Sequence, residues 1–171
     1  MPMSDSASVS DKASLFIEQF GPIIISAISG IALLIFRNEI AAAVSSKSLS
    51  MTNLYSSVLS WASIQIGFAF GVYGFVVGKS QGFVEAIKDT STMRRFLKYV
   101  KRANLGGFLL TFISLPLAIT TPTPSNPNSL SYFVIAVWFM LFIWTFLAFL
   151  RIAFNFGRIT AVRDKPDFIG A

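Results

Sequence analysis

The chain contains no cysteine and no histidine. Without cysteine there is no disulfide, no thiolate nucleophile and no thiolate metal ligand. Without histidine there is no Ser-His-Asp relay and no imidazole-built zinc site. Charge is scarce as well: 13% of the 171 residues are Asp, Glu, Lys or Arg, against roughly 25% in soluble domains. Only eight are acidic, and none of the charged residues falls inside the apolar core of a hydrophobic run. That removes the buried carboxylates of proton-coupled transporters and the carboxylate pairs of hydrolytic sites. No enzyme activity, cofactor or metal is expected.

What remains is apolar: 54% hydrophobic residues, 18 of the 171 being Phe. A bilayer crossing needs ~20 mostly apolar residues. Four stretches meet that need, at about 20–36, 59–77, 103–121 and 130–149. The expected fold is an all-α, integral membrane four-helix bundle forming one domain over 1–171. Cytoplasmic loops collect Lys and Arg. The 78–104 loop carries seven of them, and the 120–129 loop, TTPTPSNPNS, carries none. Placing 78–104 inside puts both termini and twelve of the fourteen basic residues on that side. The net charge of +6 is then a topology signal, and no nucleic-acid partner is expected. The segment before the first span holds Asp5, Asp11, Lys12 and Glu18, opposite in sign to the n-region of a signal peptide. Ala41, Ala42 and Ala43 read as a short outer helix rather than a cleavage site.

Small residues run along one face of the second span: Ser56, Ser60, Ser63, Gly67, Gly71, Gly74, Gly78, then Gly82 and Ala86. Steps of three and four keep them on one side of a helix. Each glycine gives up ~1 kcal/mol of helix propensity, so the face is expected to meet another helix closely, in the GxxxG manner. The third span carries a matching stripe of Ala103, Gly107, Thr111, Ser114, Ala118 and Thr121. Sequential helices are usually neighbours, so the first expectation is that the two stripes pack inside one protomer. The alternative is a contact between protomers of a homo-oligomer. Gln65, the one strongly polar residue in mid-span, lies on the opposite face and is expected to bond a neighbouring helix.

The 78–104 segment reads as one long cytoplasmic hairpin. Phe83 and Ile87 continue the second span, and Met93, Phe96, Leu97 and Val100 lead into the third. Its basic run is Arg94, Arg95, Lys98, Lys101 and Arg102, with Arg94, Lys98 and Lys101 on one face. Arg151, Asn155 and Arg158 make a similar face below the fourth span. Such faces attract anionic lipid and can also dock an acidic cytoplasmic protein. Phe139, Phe142, Phe146 and Phe149 share a face of the fourth span, which has few small residues and is expected at the periphery. Pro116 is expected to kink the third span.

Span count, size and the basic cytoplasmic hairpin give a plan that resembles the small four-span membrane subunits of bacterial anti-phage defence systems of the Kiwa type. The resemblance implies a homo-oligomeric sensor or anchor in the bacterial inner membrane that engages a cytoplasmic effector. The alternatives are a small channel or membrane-permeabilising effector, with the ladder or Gln65 on its path, and an assembly factor for a larger membrane complex.

Overall fold

The structure, a computed structural model, describes the backbone of residues 9–79 and 82–161 and the side-chain surroundings of residues 20–79, 84 and 86–161. Asp5, Ser80, Gln81, Arg163 and Lys165 lie outside the described residues, as do the side-chain surroundings of Asp11, Lys12, Glu18 and Phe83. The described chain is all-α, with helices α1 Val9–Ile35, α2 Arg37–Ser45, α3 Met51–Gly78, α4 Gly82–Ile87, α5 Ser91–Thr120 and α6 Leu130–Thr160. Three of them, α3, α5 and α6, are long and apolar enough to cross a membrane. Phe20–Ile35 passes the same test only together with α2, from which it is bent by 69°.

Local chemistry sets the starts of the three long helices. Ser50, Thr90 and Ser129 precede α3, α5 and α6, and each hydroxyl accepts from a backbone N–H three residues on: Asn53 at 3.3 Å, Met93 at 3.2 Å and Tyr132 at 3.2 Å. These are N-caps, which satisfy donors that a helix end leaves unpaired. α5 stops at Thr121, in the left-handed region at φ 42° and followed by Pro122, which cannot continue the helical ladder. The helix runs unbroken through Pro116.

The bundle is built from one extended pairing and one central helix. α3 packs along α5, α5 along α6 and α6 along α1, with a lighter contact between α3 and α6. The buried residues of α3 are Met51, Tyr55, Val58, Ala62, Gln65, Ala69, Val72 and Val76, alternating by four and three. Those of α5 (Met93, Phe96, Val100, Ala103, Gly107, Leu110 and Ser114, joined by Gly106) follow the same rhythm. That is heptad spacing, with two seams closing on each other as in an antiparallel coiled coil.

The fourth apolar run is not peripheral. α6 touches α1, α3 and α5, and its Phe face spans the gap to α3. Trp61 meets Phe146 and Phe149 at 5.1 and 5.2 Å between ring centroids; Phe68 meets Phe149 and Phe156 at 5.1 and 6.0 Å; Phe75 meets Phe156 at 5.5 Å. Small residues are one way to join helices. Large rings are another, because they fill a wider separation between the helix axes. On the other side, Ser26 donates to the Met140 carbonyl at 2.7 Å and Gly30 lies against the Met140 side chain. Ser26 and Gly30 form a small-xxx-small pair that seats α1 on α6.

The long hairpin is also corrected. α5 does run continuously from the basic segment into the apolar one, but α3 ends at Gly78. Lys79 is extended, with ψ 123°, and α4 is a separate six-residue helix. Lys88 closes the break: its Nζ donates to the carbonyls of Val77 at 3.1 Å and Lys79 at 3.5 Å. A cation on the last carbonyls of a helix is favourable both as a hydrogen-bond donor and in the helix dipole. The small-residue ladder therefore runs to Gly78 on one helix; Gly82 and Ala86 belong to another.

Candidate functional site

Seven members of the ladder, Ser56, Ser60, Ser63, Gly67, Gly71, Gly74 and Gly78, are exposed. A methyl group added at Gly67, Gly71, Gly74 or Gly78 would have nothing within 4 Å among the described residues. The expected packing of the two stripes inside one protomer is therefore overturned. α5 does present its small residues to α3, with Ala103, Gly107 and Ser114 buried and Thr111 half-buried. Ala103 and Gly107 meet α3 at Gln65 and Ile66, on the side nearly opposite the ladder. A methyl group at Gly107 would stand 3.0 Å from Ile66 Cγ1, and Ser114 accepts from Trp138 Nε1 on α6 at 2.8 Å. The ladder is left as an open strip flanked by Ile64 and Phe70, which are 62% and 52% exposed.

Gln65 lies in the closed seam, with 0% of its surface exposed. Its Nε2 donates to the Ala103 carbonyl of α5 at 3.3 Å, and its Oε1 has no hydrogen-bond partner among the described residues. Substituting Gln65→Leu removes one modest interhelical bond, worth ~0.6 kcal/mol on average in membranes, together with an unpaired buried acceptor. The expected result is a fold whose thermal unfolding in detergent changes by no more than a few degrees, measured by circular dichroism.

At the basic end the structure divides the cations into two groups. Arg94, Lys98 and Lys101 are exposed on one side of α5. Arg95 and Arg102, also exposed, line clefts shared with α6, where Arg151 and Arg158 stand at the same seven-residue spacing. Tyr99 lies among these four, with the Arg151 guanidinium 3.6 Å above its ring centroid. Two clefts share this tyrosine. The inner one, about 60 Å³, is lined by Arg102, Arg151, Trp144 and the α1 residues Pro22 and Ile23. The outer one, about 370 Å³, is lined by Thr92, Arg95, Tyr99, Asn155, Arg158 and Ile159.

The sequence separates Arg95, in the basic run before the third span, from Arg158, on the face below the fourth; the structure lines one cleft with both. The contacts of Ser26, Gly30, Gly106 and Lys88 are not legible in the sequence, apart from the small-xxx-small spacing of Ser26 and Gly30. Among the described residues no cluster of three or more Asp or Glu could hold a metal ion.

Comparison with protein-family models, with curated proteins and with solved structures gives no match. Fold and site together define the class: a helical protein with three helices able to cross a membrane, one open small-residue face and one arginine-rich end.

Proposed function

We propose that this chain is a non-enzymatic, homo-oligomeric membrane sensor or anchor that engages an acidic cytoplasmic partner. The observation that carries the reading is the open ladder. Gly30 of α1 and Gly106 and Gly107 of α5 are spent on contacts within the chain, while α3 keeps a glycine face at which an added methyl group would meet nothing within 4 Å among the described residues. Lipid tails gain nothing from access to a helix backbone, whereas a second helix does. A second copy of α3 is the occupant we assign to it. In this reading α1 with α2 makes the fourth crossing, both termini and the 78–104 segment face the cytoplasm, and the setting is a bacterial inner membrane. A role in anti-phage defence follows the plan's resemblance to the small four-span subunits.

The partner surface is the exposed Arg94, Lys98 and Lys101 side of α5. Exposed cations steer acidic partners and also hold anionic lipid headgroups, at about 1 kcal/mol each near the surface. The test is co-purification from the native host with these three residues changed to Gln. The cytoplasmic partner captured by the unaltered protein is expected to be lost from the variant, while the membrane fraction and oligomer size stay unchanged. Retention of that partner contradicts the docking role.

A further inference from the structure

We infer that the outer cleft between α5 and α6 is a binding site for a phosphate monoester, held by Arg95 and Arg158 with Asn155 and Thr92 as neutral hydrogen-bonding groups. The four side chains come from two helices and line one cleft of about 370 Å³ with no acidic residue among them. Both cations are arginines, whose planar fork binds phosphate oxygens two at a time, whereas the lysines of this segment, Lys98 and Lys101, line no part of it. Two guanidinium charges match the −1.5 to −2 charge that a phosphate monoester carries near neutral pH. A phosphodiester, with a single charge, would leave one arginine uncompensated. The N-terminal turn of α5, which contains Thr92, adds the positive end of a helix dipole.

The height of the cleft supports the same chemistry. Arg102 and Arg151 stand where the third and fourth apolar runs meet charge. Arg95 and Arg158 lie seven residues further out, about 10 Å along a helix rising 1.5 Å per residue. The headgroup layer is only about 5–8 Å deep on each side. The cleft therefore opens at the aqueous edge of the bilayer, where a terminal phosphate arrives either on a soluble molecule or on a lipid whose headgroup ends in a monoester. Arg151 already covers one face of Tyr99, so the tyrosine forms a wall rather than a stacking platform.

The proposal rests on the reading of this end as water-facing, but on different residues from the protein-docking surface. The full chain is reconstituted into phosphatidylcholine nanodiscs and titrated calorimetrically with inorganic phosphate. A second arm adds phosphatidate or phosphatidylglycerol to the discs and measures retained lipid by native mass spectrometry. Saturable phosphate binding is expected, weakened tenfold or more by Arg95→Gln with Arg158→Gln. Arg94→Gln with Lys98→Gln and Lys101→Gln is expected to bind phosphate like the parent, whatever it does to partner capture. Arg158→Lys, which keeps the charge and loses the fork, is expected to fall between. Preferential retention of phosphatidate identifies a lipid source; phosphate binding without it identifies a soluble one. Equal weakening by the two sets of Gln substitutions, or no saturable binding in either arm, overturns the site.

Discussion

Gly74→Leu is expected to leave a folded protein that no longer assembles. A methyl group at this position would meet nothing within 4 Å among the described residues, so the substitution starts in open space. The helix itself gains about 0.8–1 kcal/mol of propensity when glycine is replaced. What the leucine destroys is access to the backbone of α3. Close backbone approach is the source of affinity in small-residue helix contacts, so association is expected to weaken by tenfold or more, ~1.4 kcal/mol at least. Size-exclusion chromatography with light scattering in mild detergent reads this directly: oligomeric mass for the parent, monomeric mass with unchanged helical content for the variant. Gly71→Leu, on the same strip, is expected to behave in the same way.

Gly106→Leu is expected to do the reverse, breaking the fold of each chain. A methyl group at Gly106 would stand 2.8 Å from Trp144 Cζ3 and 2.9 Å from Thr145 Cγ2. Thr145 is fully buried on α6, so its methyl group has little room to move away from the addition. Overpacking a closed contact costs about 1–3 kcal/mol for a small addition, and a leucine requires the two helices to separate. A loss of 1 kcal/mol lowers the unfolding midpoint of a chain this size by about 2–4 °C. Gly106→Ala is therefore expected to lower it by several degrees and Gly106→Leu to abolish a cooperative transition. Equal tolerance of leucine at Gly74 and Gly106 would mean that the distinction between open and closed glycines is wrong.

That distinction is where sequence reading stops. The helical class, the three long apolar helices and the basic segment leading into α5 are legible because each follows from length, hydropathy or charge. Which side of an apolar helix faces its neighbours is not. In water the buried face of a helix is marked by hydrophobicity, but in α3 the core seam holds Gln65 and the open strip is lined by Ser and Gly between exposed Ile64 and Phe70, so polarity does not tell the two apart. The glycine ladder is the conspicuous pattern, yet the core is the plain Val/Ala heptad beside it. The place of α6 was hidden for a related reason. A run of phenylalanines suits lipid as well as a neighbouring helix, and only Trp61, Phe68 and Phe75, seven residues apart on α3, reveal that the rings have partners. The break after Gly78 is bridged by Lys88, nine residues past Lys79, a contact invisible to helix periodicity.

The arginine cleft lay in the same blind spot. Basic residues on the third and fourth spans could be grouped only along each helix, because the register between two antiparallel helices is set by packing. That packing places Arg95 and Arg158 around one cavity and leaves Arg94, Lys98 and Lys101 outside it. In the proposed reading, one basic end serves two chemistries, a diffuse surface for an acidic protein and a cleft for a dianion.

Disulfide cross-linking tests most directly whether α3 meets a second copy of itself, and the absence of native cysteine makes it clean. Ser63 sits on the open strip and is exposed, while Ile119, on α5, is 75% exposed away from it. A disulfide requires Cβ atoms about 3.5–4.5 Å apart, so only residues at a close helix contact oxidise efficiently in native membranes. A covalent dimer from Ser63→Cys, and none from Ile119→Cys, is the expected result. Cross-linking through Ile119→Cys with none through Ser63→Cys would contradict it and place the interface on another face.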